Sequence, residues 1–248
     1  MKIHALERFQ GLPDAIFFDM DNTFYPYEPA HKAALAAVQG KISAMFSIST
    51  GQFDNLFEEA RREVKGRLNS TASSHSRLLY MQRLFELLGL GSQPMYSLDM
   101  EQTYWRAFLT HAVLFDGLRE FLDDARLLGI PMVVVTDLTA QIQFRKLIYF
   151  NLDSFFQYVI TSEEVSSDKP HPSPFLLALE KCQPPKDNIW MIGDSPVNDI
   201  LGARKAIGAT TLQKIHPGIQ PGSGDCSPDA AFSQFADLRK LLLSLGRQ

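Results

Sequence analysis

The stretch Ala15-Ile-Phe-Phe-Asp-Met-Asp-Asn-Thr23 is the part of the sequence that decides the expected fold. It is an apolar run that ends abruptly in polar residues, as a buried strand does at the edge of a sheet. Further apolar runs lie at 130–135, 158–160 and 188–192, and a weaker one lies at 209–212. Because these runs are nearly continuously apolar rather than alternating, they predict central strands of a parallel sheet covered on both faces.

The segments between the later runs have apolar residues at helical spacing. These segments are 117–128, 139–150, 175–182 and 197–207. Strands that alternate with helices in this way are typical of a doubly wound, Rossmann-like α/β domain. After the last strand, the Gly-, Pro- and Ser-rich segment 214–229 is predicted to be a long loop before a closing helix at 232–245.

The interval between the first two strands has a different character. It contains no convincing strand, and four amphipathic segments separated by turn-forming residues fill it, at 30–46, 52–68, 75–88 and 98–112. We therefore expect an all-helical domain over residues 27–111, inserted after the first strand of an α/β core domain. The core domain then consists of residues 1–26 and 112–248.

Side chains within this helical insert are interpreted first as structural. Tyr104, Trp105 and Phe108 follow helical spacing and are expected in the core of the insert. Charged residues of the insert, such as His31, His75, Arg77 and the Arg61-Arg62 pair, are expected on a solvated helix face.

Composition limits the classes of partner. The 248 residues are 45% apolar and 21% charged, with a formal charge of −4, which is ordinary for a folded globular protein. A weakly acidic chain without a basic stretch is a poor binder of nucleic acid or anionic lipid. No apolar run approaches the roughly 20 residues needed to span a bilayer, so we expect a cytoplasmic protein without a membrane partner.

Polar residues follow four of the predicted strands directly or after a short loop. Because the carboxyl ends of parallel strands meet at one edge of a sheet, these residues are expected to share one crevice. The candidates are Asp19, Asp21, Thr136, Asp137, Lys169, Asp194 and Asp199, together with Met20, which lies between the first two.

The residue types indicate the chemistry of this crevice. The carboxylates of Asp19, Asp21, Asp194 and Asp199 would repel one another unless positive charge is present. Mg²⁺, a hard cation that prefers oxygen ligands, can supply that charge, and Lys169 adds a second positive group. A cation beside a lysine makes an anion-binding centre that suits a phosphate, whose peripheral oxygens gain charge during transfer.

Two of the carboxylates are placed for reaction. Asp19, at the tip of its strand, can attack phosphorus and form an aspartyl phosphate. Asp21 lies on the same side of an extended chain, where it can protonate the leaving oxygen and later deprotonate the attacking water. Thr136 adds a hydroxyl donor for the phosphate.

Four motifs carry a family resemblance: Asp19-Met-Asp-Asn-Thr23, Thr136, Lys169-Pro170 and Gly193-Asp-Ser-Pro-Val-Asn-Asp199. In this order, each at a strand end, they resemble the motif set of the haloacid dehalogenase-like (HAD) hydrolase superfamily. The helical insert resembles that of its subfamily I, in which a helical cap closes over the site. The segment from Phe18 to Pro26 resembles the corresponding segment of pyrimidine 5′-nucleotidase-like members of this superfamily. The chain also resembles the phosphoglycolate phosphatase-like members.

The resemblance implies a role for each site residue. It implies Asp19 as nucleophile and Asp21 as general acid and base, and it implies that the phosphate lies among Met20, Thr136, Asp137 and Lys169. Mg²⁺ is then expected on the Asp19 carboxylate, the Asp21 main-chain carbonyl and Asp194. Asp199 either ligates the ion or orients Lys169.

The sequence departs from the family pattern at two positions. Asn22 stands where many members have glycine, and Asp137 stands where asparagine is usual. A carboxylate beside a phosphate is unfavourable unless it turns away, and capping the helix that begins near Leu138 would achieve this. Asp21 is the carboxylate that the dehalogenase branch generally lacks, so its presence favours phosphoryl chemistry.

We therefore expect a Mg²⁺-dependent phosphatase of a small phosphorylated metabolite, either a nucleoside monophosphate or a sugar phosphate. A phosphomutase and a 2-haloacid dehalogenase are the alternatives among enzymes. A catalytically silent relative that acts as a binding or regulatory protein is the alternative outside them. The sequence leaves the identity of the substrate and the oligomeric state open.

Overall fold

The computed structural model describes residues 1–185 and 188–246. The chain divides into two compact units. An α/β unit consists of Met1–Pro26 and Val113–Gln248, and a helical unit consists of Tyr27–Ala112.

A seven-stranded sheet forms the centre of the α/β unit, with the strand order β1-β7-β6-β5-β2-β3-β4. The pairs from β7 to β4 are parallel, and β1 pairs with β7 in the antiparallel direction. The strands are β1 (Lys2–Ile3), β2 (Ala15–Phe18), β3 (Met132–Thr136), β4 (Tyr158–Thr161), β5 (Ile189–Gly193), β6 (Thr210–Lys214) and β7 (Ala230–Phe232).

Helices cover both faces of this sheet, as the near-continuous apolar strands require. On one face, Phe17 of β2 packs with Phe175 and Ala203 in a fully buried cluster. Toward the other face, Phe18 packs edge-on against Phe121. The helices of this unit are α5 (Leu118–Leu127), α6 (Ala140–Tyr149), α7 (Ser162–Val165), α8 (Ser173–Cys182), α9 (Gly202–Ile207) and α10 (Phe235–Leu245), and a π-helical turn at Pro196–Leu201 precedes α9.

The helical unit contains four α-helices, α1 (Tyr27–Phe46), α2 (Thr50–Leu68), α3 (Arg77–Leu87) and α4 (Pro94–His111). Ser49 and Gln52 form a reciprocal capping box at the start of α2, which explains why that helix begins there. The expected core residues Tyr104, Trp105 and Phe108 are buried, as predicted. None of the described helices combines the length and the apolar character needed to cross a membrane.

The predicted fold class, a doubly wound α/β core with a helical insert, is confirmed. The five predicted strands all form, with ends within two residues of those expected. The prediction for the C-terminal part is wrong in one respect. Ala230–Phe232 is a strand beside β6, and the closing helix begins later, at Phe235. A strand of three residues carries too little periodicity to be detected in the sequence.

Candidate active site

The register of the sheet brings three strand ends together. Phe18, the last residue of β2, pairs with Val134 of β3 on one side and Ile192 of β5 on the other. The next residue, Asp19, donates its backbone N–H to the Ile192 carbonyl over 2.9 Å. Asp19 therefore leaves the centre of the sheet between the ends of its two neighbours.

A buried lysine ties these strand ends to one another. The Lys169 ammonium lies 2.7 Å from Asp19 Oδ1, 2.7 Å from Asp199 Oδ1 and 2.9 Å from the Val135 carbonyl. Its side chain is only 1% exposed. Although burial lowers its pKa, the Asp19 and Asp199 carboxylates more than offset that effect and hold the pKa of Lys169 well above its usual value. Lys169 is therefore a fixed cation.

Three carboxylates gather beside this cation. Asp19, Asp194 and Asp199 each offer an oxygen, and these oxygens lie within 4.8 Å of one another. Burial, together with the neighbouring carboxylates, raises the pKa of Asp19 to about 7 and that of Asp194 to about 9. A set of oxygen donors at this spacing fits a hard divalent cation, so the cluster could bind a metal ion.

Asp199 has both of its carboxylate oxygens engaged. Oδ1 accepts from Lys169, and Oδ2 accepts the Ser195 backbone N–H over 2.9 Å. Ser195 in turn caps the helical turn that carries Asp199, accepting from the Asn198 N–H over 3.1 Å. A Cβ at Gly193 would lie 2.4 Å from the Asp199 Cβ, so glycine is required there. These contacts place Asp199 where it orients Lys169.

The end of β3 is organised by α6. Gln143 is fully buried, and its amide donates to the Thr136 hydroxyl over 2.6 Å and to the Asp137 carbonyl over 2.7 Å. Asp137 does not turn away to cap the following helix. Its carboxylate accepts the Lys169 backbone N–H over 2.9 Å, and at the start of α6 the Ala140 N–H donates instead to Glu163 Oε2 over 2.8 Å. Burial raises the pKa of Asp137 to about 6.

Asp21 lies at the other end of the same loop and is held from two directions. The Lys146 ammonium lies 2.8 Å and 2.9 Å from its two carboxylate oxygens. The Tyr25 hydroxyl donates to Oδ1. The side chain of Lys146 is 1% exposed, whereas that of Asp21 is 33% exposed. The candidate acid and base thus keeps access to solvent while its partner is buried.

Met20 separates these two aspartates and anchors the turn. Its side chain is fully buried, and its carbonyl accepts the backbone N–H groups of Thr23 and Phe24. The Thr23 hydroxyl donates to Asp19 Oδ2 over 3.3 Å. Asn22 adopts a left-handed conformation with φ 62°, which asparagine tolerates better than most residues and which explains this residue at a position where glycine is common.

The sequence analysis missed two residues of this site, Gln143 and Lys146. Both lie on α6, three residues apart, and they contact residues from two different strand ends. The signal that could have identified them is a polar residue in line with the apolar face of the helix, where Ile142 and Leu147 are buried.

The eight predicted site residues all lie in the α/β unit. Lys169 contacts Asp19 and Asp199 directly and contacts Asp137 through its backbone. A carboxylate at the tip of a strand, a fixed cation against it and an acidic cluster that could hold a metal ion are the features of an α/β hydrolase site that could accept a phosphoryl group.

Comparison with known proteins identifies the family. A family model of the haloacid dehalogenase-like hydrolases matches residues 13–206, which includes all eight predicted site residues. The chain belongs to this family.

Relatives that match most of this chain carry phosphatase names. A ribulose-1,5-bisphosphate 5-phosphatase from Halopiger xanaduensis is 32% identical over 90% of this chain and 93% of its own. A glyceraldehyde 3-phosphate phosphatase from Methanopyrus kandleri is 27% identical over 94% of this chain and 98% of its own. The chain is accordingly a phosphoric monoester hydrolase that acts on a phosphorylated metabolite.

Solved structures agree on the fold. A HAD phosphatase from Thermococcus onnurineus superimposes with a TM-score of 0.70 at 26% identity, covering 92% of this chain and 97% of its own. A 2-haloacid dehalogenase from Pseudomonas syringae superimposes with a TM-score of 0.74 at 20% identity, covering 93% of this chain and 98% of its own. At 20% identity, the similarity to the dehalogenase shows a shared fold and carries no information about activity.

Proposed function

We propose that this protein hydrolyses the phosphate ester of a small metabolite, such as a nucleoside monophosphate or a sugar phosphate, through an aspartyl phosphate on Asp19. The observation that carries the proposal is the position of the Asp19 carboxylate. It lies at the end of a central strand, 2.7 Å from a buried ammonium and within 4.8 Å of two further carboxylates. Such a site can accept a phosphoryl group and stabilise its charge.

In the first step, an Asp19 oxygen attacks phosphorus and the bond between phosphorus and the ester oxygen breaks. The departing oxygen takes a proton from Asp21, whose partly exposed carboxyl is fixed by Lys146 and Tyr25. Lys169 and the Thr136 hydroxyl donate to the phosphoryl oxygens, and Gln143 holds that hydroxyl in place.

In the second step, water attacks the phosphorus of the aspartyl phosphate and gives its proton to Asp21. The bond between phosphorus and the Asp19 oxygen breaks, inorganic phosphate leaves, and the Asp19 carboxylate is restored. Asp21 thus acts as the acid in one step and the base in the next, as microscopic reversibility requires.

Magnesium is the cation that the donor set fits. Asp19, Asp194 and the main-chain carbonyl of Asp21 would hold it, with Asp199 behind them as the partner of Lys169. When bound, the ion offsets the clustered negative charge and withdraws charge from the phosphate.

The helical unit is proposed to act as a cap. It is inserted directly after the loop that carries Asp19 and Asp21, since Pro26 is followed by Tyr27, its first residue. A unit attached at this point can exclude water during phosphoryl transfer and select the substrate.

The decisive experiment is to trap the intermediate. Wild-type protein is mixed with an aryl phosphate and Mg²⁺, quenched in acid and examined by mass spectrometry, and one phosphoryl group is expected on the peptide containing Asp19. Asp19→Asn should show neither the adduct nor turnover, while its circular dichroism remains that of the wild type. Phosphate release by a folded Asp19→Asn variant, or activity that survives EDTA, would contradict the proposal.

A second variant separates the phosphatase from the dehalogenase alternative. Asp21→Asn should reduce phosphatase turnover strongly, because an alkoxide leaving group needs a proton. A halide ion needs none, so a dehalogenase tolerates this change. Turnover of 2-chloropropionate by the wild type, undiminished in Asp21→Asn, would favour dehalogenation.

A further inference from the structure

The α/β unit contains a cavity of about 220 Å³ apart from the candidate active site. It lies at the carboxyl ends of β6 and β7, the edge of a parallel sheet at which ligands bind. Residues 115–116, 214–217 and 233–234 line it. None of the eight predicted site residues is among these lining residues, so the proposed function does not account for the cavity.

Lys214, the last residue of β6, is the cation of this cavity. It is 1% exposed. Its ammonium donates to the carbonyl of the adjacent Ile215 over 3.1 Å and lies 3.7 Å from the centroid of the Phe115 ring. Because an ammonium has three N–H donors, the hydrogen bonding within residues 1–185 and 188–246 leaves two of them available.

Lys214 differs from Lys169 in lacking a carboxylate partner. Burial lowers the pKa of Lys214 to about 8, and no carboxylate of the described chain offsets this effect. The acidic residue of the cavity wall, Asp116, is exposed. At pH 7 the lysine is still mostly protonated, so a buried positive charge borders the cavity without a counterion. Buried charges in proteins are normally paired, and an anion in the cavity would supply the missing partner.

His216 adds a second unsatisfied group beside this cation. Its ring centroid lies 5.1 Å from that of Phe115, so the imidazole and the Lys214 ammonium contact the same aromatic ring. Its Nε2 is buried and has no hydrogen-bond partner in the described part of the chain. Burial, with a smaller contribution from Lys214, lowers the pKa of His216, so the imidazole is mostly neutral at pH 7. A buried polar atom without a partner commonly marks the place of a water or a ligand.

The charges and the apolar surface of the cavity indicate which anion fits. A ligand with one negative charge balances the single ammonium, whereas a dianionic phosphate would place excess negative charge near Asp116. Phe115, Ile215 and Pro217 offer apolar surface to a short carbon chain. Pockets for drug-sized ligands measure roughly 300–1,000 Å³, so this smaller cavity fits a correspondingly smaller molecule.

We propose that this cavity binds the carboxylate of a small organic acid. Lys214 is the counterion of that carboxylate, and His216 donates a second hydrogen bond to it from Nε2, in the tautomer that carries the proton there. The carbon chain of the acid packs against Phe115. This inference does not depend on the proposed function, because no residue of the reaction site takes part in the binding.

Propionate is the probe for a direct test. It is titrated without Mg²⁺ into protein that carries ¹³C-labelled lysine, and the Cε signal of Lys214 is identified by its absence from Lys214→Met. We expect a saturable shift of this signal with propionate and none with propionamide, which has a similar shape and no charge. Inorganic phosphate should shift the signal only at higher concentration. An unchanged signal with propionate, or a phosphate that acts at lower concentration than propionate, would overturn the inference.

Matched variants test which residue holds the acid. The Kd of propionate, measured by saturation-transfer difference NMR, should rise by about tenfold or more in Lys214→Met, because a charge-assisted hydrogen bond is lost. Lys205→Met removes the same charge from an exposed position of the same unit and should leave the Kd unchanged.

Lys214→Met is expected to fold, because its removal leaves no carboxylate of the described chain unpaired. If it folds poorly, His216→Phe serves instead, since it keeps an aromatic ring and removes Nε2, and a smaller rise in the Kd is expected. A Kd equal to that of Lys205→Met in the cavity variant that is used would overturn the inference.

Discussion

The two units of this protein each bury a cation, and the two cations differ in the kind of group that surrounds them. In the α/β unit, Lys169 has two carboxylate partners at 2.7 Å. In the helical unit, Arg77 is surrounded by tyrosine hydroxyls and aromatic rings, and it forms no ion pair within the described residues. A cation with internal counterions is fixed in place, which suits a group that orients a nucleophile. A cation without them is held by hydroxyl groups and aromatic rings, which neutralise none of its charge.

Removal of Lys169 is the strongest test of this difference. Lys169→Met should lower kcat by roughly 10³-fold, because the phosphoryl group loses a preorganised charge. Without Mg²⁺ it should also lower the free energy of unfolding by about 3–5 kcal/mol, since the buried carboxylates of Asp19 and Asp199 lose their cationic partner. Steady-state kinetics and urea unfolding measure the two effects.

Lys181→Met is the control for Lys169→Met. Lys181 pairs with Glu164 near the surface, and loss of that pair should cost no more than about 1 kcal/mol. If the two variants have similar free energies of unfolding, the ion pairs of Lys169 contribute little to stability. Lys169 would then not differ from Arg77 in the way described.

A third buried cation, Lys146, extends the comparison because it contacts Asp21, the candidate general acid and base. Lys146→Met should lower kcat by about 100-fold for an alkyl phosphate, since Asp21 is no longer held in position to protonate the leaving oxygen. The loss should be smaller for p-nitrophenyl phosphate, whose leaving group hardly needs a proton. Equal losses for the two substrates would show that Lys146 acts only on folding or binding.

The stability of Arg77→Met is expected to change much less than that of Lys169→Met. Its hydrogen bonds to tyrosine and to the His75 carbonyl are lost, but no carboxylate is left unpaired and the cost of burying the charge disappears. The free energy of unfolding should fall by no more than about 1–2 kcal/mol in urea titrations. A loss as large as that of Lys169→Met would indicate a structural arginine.

The smallest expected effect is a pH dependence from His31. Its pKa is about 4 in the folded chain and near 6.5 when unfolded, because burial and then Arg77 disfavour its charged form. Between these values the unfolded chain binds a proton that the folded chain does not, so stability falls as the pH is lowered from 7 toward 4.5. Because His31 is partly exposed, this contribution should be only about 1–2 kcal/mol. Urea titrations of His31→Gln should show a weaker dependence than the wild type, and an identical slope would contradict this assignment.

The sequence was sufficient to predict the site residues at the strand ends because one geometric rule determines where those residues lie. Parallel strands end at the same edge, so the residues after each apolar run converge whatever the details of packing. Asp19, Lys169 and Asp199 were predicted on this basis, and the structure brings them into contact.

The residues supplied by helices could not be predicted in the same way. Whether Gln143 and Lys146 reach the site depends on the rotation of α6 about its axis, which tertiary packing determines. Arg77 is buried because Tyr104 and Trp105, from the following helix α4, pack against its guanidinium. A charged residue on an amphipathic helix is usually solvated, and only these long-range contacts reverse that expectation.

Gly193 also limits how this protein can vary. The space that a methyl group would need at this position is filled by the Asp199 side chain, which is in turn fixed on Lys169. A scan of all substitutions at position 193 should therefore give a uniform profile, in which alanine is as damaging as tryptophan. Laboratory evolution toward new substrates should therefore retain glycine at position 193 and change residues elsewhere in the chain.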